Sequence, residues 1–256
     1  MPVIDADGVE RPDETDAHTL QMPHIGVKKI QREQDILRKN PVFRFLGYPI
    51  RILVLLLFTP FFWFKYRLKV ENKKALKAIR GKGAILVGNH CHALDCVLYS
   101  IKVFPRMNWI TSIPENFRIP VAGTLAGLLG GIPIPYDLKG MRMFKQIIGE
   151  LLRKKKLVTF YPEASLWPYY RSLRPFKTGA FRFAAQYNAP ILPAAIAMRI
   201  RHRKNGEKKY RMRLVLLDPI YPDTTVPEPA AIEKLKSETF RAMQAVIESE
   251  RERDRR

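Results

Sequence analysis

The chain has 256 residues, 46% of them hydrophobic, and a formal charge of +21 at neutral pH. That length and apolar content can bury one sizeable core with an appendage, while two cysteines, Cys91 and Cys96, exclude an extracellular disulfide framework and make a reducing compartment the default. So large a positive excess calls for an anionic partner surface, either nucleic acid or acidic lipid.

Residues 1–23 begin acidic: the first twenty positions hold six acids and one base, a charge of −5 that leaves +26 for the rest. The segment is no signal peptide and is expected to be a disordered leader. From 24 to 68 the sequence turns basic and apolar, with Ile30, Ile36, Leu37, Phe43 and Leu46 leading into thirteen uncharged residues, 52–64. A membrane-spanning helix needs about twenty. Basic residues flank the run on both sides, Arg44 and Arg51 before, Lys65, Arg67 and Lys69 after, whereas a spanning helix gathers positive charge on one side. The expectation is a membrane-associated helical pair lying in one leaflet, with Trp63 and Tyr66 near the headgroups and the bases on anionic phosphates. The competing reading is a buried core helix.

Residues 69–256 read as one domain. Apolar runs at 84–87, 108–112, 131–134, 157–161, 191–198 and 210–217 predict strands. Helical patterns at 93–103, 120–129, 139–153, 177–187 and 229–250 alternate with them. The alternation predicts an α/β fold with a largely parallel central sheet flanked by helices.

The most informative stretch is Asn89-His90-Cys91-His92-Ala93-Leu94-Asp95, directly after the first of those strands. Five residues apart, His90 and Asp95 would not share a face of a regular helix. They meet if His90 sits on the turn leaving the strand and Asp95 in the first turn of the next helix. A carboxylate that orients a histidine and steadies its protonated form makes it a general base, suited to taking a proton from an alcohol. The plainer alternative is a histidine capping the helix and an acid near its positive end. Zinc is a weaker reading: His90, Cys91, His92 and Cys96 crowd seven positions, whereas a closed site draws on two separated pairs, so no metal is expected. Without a Gly-x-Ser-x-Gly elbow, Ser165 has no signature of a nucleophile. Basic patches at 65–82, 153–156 and 199–213 could hold nucleic-acid phosphates, but no reader motif accompanies them and the apolar run 52–64 would have no role. Membrane binding explains both charge and apolar run, so no nucleic-acid partner is expected.

This block resembles the Asn-His-x-Ser-x-x-Asp motif of the glycerolipid acyltransferases, the 1-acylglycerol-3-phosphate O-acyltransferase or PlsC-like family. Phe160-Tyr161-Pro162-Glu163-Ala164-Ser165 is similar to that family's Phe-Pro-Glu-Gly-Thr-Arg, and Phe176-Lys177-Thr178-Gly179 to its Phe-Lys-x-Gly. Residues 189–195 resemble its apolar strand with an internal proline. The resemblance implies transfer of a fatty acyl chain from an acyl thioester, acyl-CoA or acyl carrier protein, to the hydroxyl of a lysophospholipid such as 1-acylglycerol-3-phosphate, in phospholipid biosynthesis. No cofactor beyond that co-substrate is implied, and the expected location is the cytoplasmic side of the cell membrane, peripheral or monotopic. His90 would be the base and Asp95 its orienter. Glu163 has two readings, a carboxylate that positions the acceptor's glycerol or one paired with a base such as Arg171. Gly179 reads as a close-approach or turn position at a helix start, while Tyr161 and Trp167 read as packing. The chain departs from the family at three places: His92 stands for serine, and Tyr136 and Leu166 stand where arginines bind the substrate phosphate. Arg171, Arg174 and Lys177 are the candidates to replace that charge, with Arg174 favoured because Pro175 stiffens the chain beside it, and Arg142 is a further one.

Overall fold

The computed structural model describes Val3–Ile4, Glu10–Arg11 and residues 41–72, 74–202 and 207–255. The expected leader therefore lies outside the described residues apart from a two-residue antiparallel pairing, Val3–Ile4 with Glu10–Arg11. So do residues 24–40, where the expected helical pair begins; Phe43 and Leu46, expected to lead into the apolar run, share one 26-residue helix with it, α1 (Pro41–Tyr66).

Seven strands form one sheet: β1 (Lys69–Glu71), β2 (Ala84–Gly88), β3 (Asn108–Ser112), β4 (Gly131–Pro133), β5 (Leu157–Phe160), β6 (Ile191–His202) and β7 (Lys208–Leu216), in the order β1-β7-β6-β2-β5-β3-β4. Every neighbouring pair is parallel except β6 and β7. The connecting helices are α2 (Lys74–Ala78), α3 (Asp95–Val103), α4 (Ala122–Leu128), α5 (Leu138–Arg153), α6 (Gly179–Gln186) and α7 (Glu228–Arg255), with a 3₁₀ turn at Pro114–Arg118. This is the α/β architecture expected from the alternating runs.

β2 is buried along its whole length, because helices cover both faces of a parallel sheet. Successive side chains serve opposite layers. Ile85 and Val87 join Val158, Phe144, Phe181, Ile191 and Leu235 in one core, beneath α5, α6 and α7. Ala84 and Leu86 join Leu98, Tyr99, Leu192, Leu214, Phe62 and Tyr66 in the other, beneath α1, α2 and α3.

α1 thus has two faces. Leu55, Phe62 and Tyr66 follow helical spacing and are buried against the domain, while Leu53, Leu56, Leu57, Trp63 and Phe64 are exposed. Gly47–Tyr66 is long and apolar enough to cross a membrane, and 22% of that apolar stretch is buried, which sets it apart from an ordinary core helix. Two expectations for its ends need correcting. Arg51 is no headgroup ligand: it is buried and donates to the Leu129 carbonyl. Tyr66 is no interfacial tyrosine, since it is 3% exposed and lies in the core. Both sit on the stripe that faces the protein, and a list of flanking residues does not reveal the stripe.

Candidate active site

The site forms at the carboxyl ends of β2 and β5, where loops from adjacent parallel strands converge. β2 ends at Gly88, where a Cβ would fall 2.5 Å from the Tyr99 ring, so only glycine lets α3 pack this closely. Asn89 then extends the sheet with its side chain. Its Nδ2 donates to the Ile196 carbonyl (3.0 Å) and its Oδ1 accepts from the Ile196 amide (2.8 Å), as a backbone amide would. The Tyr99 hydroxyl donates to the Asn89 carbonyl at 2.9 Å. Asn89 is a site-building residue whose role sequence reasoning passed over, although it opens the motif.

The turn that follows is organised by Asp95, which is fully buried. Its Oδ2 accepts from the amides of Cys91 (2.9 Å) and His92 (3.1 Å) and from His90 Nδ1 (2.9 Å). These bonds fold the backbone back before the helix, which is why α3 begins at Asp95 rather than at residue 93. An ionised carboxylate can only accept, so Nδ1 of His90 carries the hydrogen and Nε2 keeps its lone pair. The His90 side chain is 25% exposed and stacks on Tyr161 with ring centroids 4.3 Å apart. Tyr161 therefore packs on the imidazole itself. Among the described residues, its buried hydroxyl and Asp95 Oδ1 have no hydrogen-bond partner.

Glu163 lies in the loop after β5, with its side chain 2% exposed. Its Oε2 accepts from Arg174 Nη2 (2.9 Å) and from the His90 amide (3.4 Å), and its Oε1 accepts from the Arg174 amide (3.4 Å). Burial pushes the carboxyl above its ordinary range, and the Arg174 charge opposes that shift. Glu163 thereby joins the His90 backbone to the loop that carries Arg174. Two main-chain bonds reinforce the seam, the Trp167 amide to the His90 carbonyl and the Tyr169 amide to the Cys91 carbonyl.

The expected phosphate ligands differ in partners and exposure. Arg174 spends its guanidinium on Glu163, the Ser165 hydroxyl and the Ser165 carbonyl, lying over the Trp167 ring. Arg171 pairs with Asp254 of α7, and the nearby base that one reading paired with Glu163, naming Arg171 as an example, is Arg174. Lys177 and Arg142 are exposed, the latter on α5. Gly179 is the first residue of α6, the helix start expected for it; a Cβ there would meet nothing within 4 Å, so the alternative of a close approach does not hold. Tyr136 donates its hydroxyl to Glu115 at 2.8 Å. Both cysteines lie beneath the turn, with burial pushing the Cys91 thiol well up and the Cys96 thiol to about 11. A separate cleft of about 320 Å³, with Lys82, Arg153, Tyr187 and Tyr221 in its wall, opens at the amino ends of the strands, away from His90.

A buried carboxylate bonded to a partly exposed histidine lies at the strand ends of an α/β sheet, and the comparisons with known proteins give the chain a family. The sequence model of the acyltransferase family matches residues 67–197, and the chain belongs to that family. It is 28% identical over 134 residues to the 1-acyl-sn-glycerol-3-phosphate acyltransferase of Escherichia coli (strain K12), covering 52% of this chain and 54% of that protein. To the enzyme of the same name from Haemophilus influenzae it is 30% identical over 132 residues, covering 50% and 53%. The chain spans about half the length of the curated relatives it matches. The crystal structure of the 1-acyl-sn-glycerophosphate acyltransferase PlsC from Thermotoga maritima superposes with a TM-score of 0.57 at 18% identity, covering 86% of this chain and 87% of that one. That likeness establishes the fold.

Proposed function

We propose that the protein is a membrane-held O-acyltransferase. It moves a fatty acyl chain from acyl-CoA or acyl carrier protein to the hydroxyl of a lysophospholipid, with 1-acylglycerol-3-phosphate as the acceptor. The observation that carries this reading is the His90–Asp95 pair, with Nδ1 committed to a buried carboxylate at 2.9 Å and Nε2 left as a base. Nε2 takes the acceptor's hydroxyl proton as the oxygen attacks the thioester carbonyl. Asp95 steadies the imidazolium, and the departing thiolate recovers the proton. General-base assistance of this kind contributes ~10²–10⁴-fold. The stacked Tyr161 ring restricts the imidazole to one plane, which favours a single line of attack.

Within this reading Glu163 acts on the base turn through the His90 amide, with Arg174 holding it in place. Lys177, whose side chain is exposed at the edge of the same loop, is assigned the acceptor's phosphate. The exposed face of α1 sits in one leaflet. Support for that orientation comes from the domain itself, which covers the helix's other face along Arg51, Leu55, Phe62 and Tyr66; a helix standing across the bilayer would carry that flank into the lipid.

The test is to incubate the purified protein with labelled acyl-CoA and acyl carrier protein against a panel of lysolipids, identifying products by mass. Formation of phosphatidate by the wild type and its loss in His90→Ala supports the reading. No acylated product with any acceptor, or equal product from His90→Ala, overturns it.

A further inference from the structure

His92, which stands where the family has serine, is built into a hydrogen-bonded chain that the mechanism above does not use. Its ring is buried. Nδ1 accepts from the Leu94 amide at 3.1 Å, so the hydrogen sits on Nε2. Nε2 donates to the Tyr66 hydroxyl at 3.0 Å, which leaves that hydroxyl free to donate to the Tyr169 hydroxyl, also at 3.0 Å. The Tyr169 amide returns to the Cys91 carbonyl at 2.7 Å, and its ring stacks on Tyr210 of β7 at 4.4 Å. Phe62, Tyr66 and Tyr169 enclose the imidazole edge-on at 5.6, 5.3 and 5.8 Å. Burial, and to a lesser degree Lys65, lower the pKa of His92, and Asp95 only partly offsets them, so the neutral form this pattern requires is the one present at neutral pH.

The two ends of the chain matter. Tyr66 is the last residue of α1, the helix whose other face is apolar and exposed. His92 lies within the turn whose amides bind Asp95, two residues from the base. We propose that His92 is a positioning residue that locks the His90–Asp95 turn to the last turn of α1 through Tyr66 and Tyr169, so that seating α1 on a lipid surface orders the base. This rests on the membrane-held acyltransferase reading and assigns that reading its regulation: the base is fully organised only where the lipid substrate resides.

The coupling is read by hydrogen exchange, which needs no turnover. The full chain is compared in mild detergent and on phosphatidylglycerol vesicles. In the wild type the Cys91, His92 and Leu94 amides exchange at least about fivefold more slowly on vesicles. Tyr66→Phe keeps the ring and removes the hydroxyl; it sediments with vesicles as the wild type does, yet loses that slowing, and kcat on vesicles falls about tenfold with KM for the acyl thioester unchanged. His92→Gln keeps a donor to Tyr66 and restores most of both effects, whereas His92→Leu does not. Equal slowing in the wild type and Tyr66→Phe, or no slowing in the wild type, overturns the proposal. Where Tyr66→Phe folds or binds poorly, the Gln and Leu variants at 92 decide it: identical behaviour of the two overturns it. Should no lysolipid be acylated, the acyltransferase reading fails while the exchange data still decide the coupling.

Discussion

Arg174→Met probes the centre of the site. In the wild type Arg174 and Glu163 form a pair at 2.9 Å with side chains 7% and 2% exposed. Methionine fills much of the removed volume but leaves the carboxylate buried without its cation. Breaking a buried pair from one side costs about 3–5 kcal/mol, because the remaining charge has neither water nor a cation and keeps only the two long amide bonds from His90 and residue 174. Against a total stability of about 5–15 kcal/mol that is a large share, and at about 2–4 °C per kcal/mol for a chain of this size it lowers Tm on the order of 10 °C. Glu163→Gln in the same background removes the orphaned charge and regains a good part of the loss. Urea unfolding of the two single variants and the double variant gives the coupling directly. Because the guanidinium reaches Glu163 and Ser165 rather than open space, KM should change equally for phosphate-bearing and phosphate-free acceptors. A stability loss below about 1 kcal/mol, with a KM increase confined to phosphate-bearing acceptors, would refute this and place Arg174 on the phosphate.

Three further outcomes are expected. His90→Ala removes at least ~10²-fold of acyl transfer at unchanged Tm and vesicle binding, and Asp95→Asn loses a comparable factor because its amide can favour the wrong imidazole tautomer; turnover near wild type in either would remove the general base. Lys177→Ala raises KM for lysophosphatidate by about tenfold or more, as loss of a charged hydrogen bond of ~1.5–3 kcal/mol requires, and leaves a phosphate-free lysolipid unaffected; equal effects on both would assign Lys177 to the fold or the donor. The lowered pKa of His92 means that the unfolded chain takes up this proton first, so its share of stability is full above pH ~6.5 and is lost as pH falls through the folded-state value. His92→Gln should abolish that share in urea unfolding measured between pH 4.5 and 7.5, and parallel pH profiles for the two proteins would count against it.

The central strands were legible because burial on both faces leaves β2 and most of β6 as apolar runs, and β5 as one broken only by Thr159. β1 was not, since three residues reading Lys-Val-Glu at a sheet edge carry no periodicity. The antiparallel sense of β6 and β7 was equally hidden, because apolar runs carry no direction. Spacing allowed His90 and Asp95 to meet on a turn between strand and helix but left the helix-capping alternative open, and the resemblance to the family's block decided between them. Glu163 and Arg174 could not be paired from spacing: the intervening loop reverses through Ala164 and Tyr169 at positive φ, conformations these residues do not advertise. Arg51 was misplaced because its charge was weighed and its phase was not; it lies four residues before the buried Leu55 on the same face.

The division of α1 into a packed stripe and an exposed one has a practical consequence for handling the protein in water. Deleting the helix to obtain a detergent-free domain would strip Phe62 and Tyr66 from the core that also holds Leu98 and Leu214, and would uncover the apolar side chains packed beneath them. Recolouring the outer stripe instead, with Leu53, Leu56, Leu57, Trp63 and Phe64 replaced by glutamate, lysine or glutamine, leaves every buried position untouched and introduces only good helix formers. The fold would then be separable from the bilayer without cutting the chain.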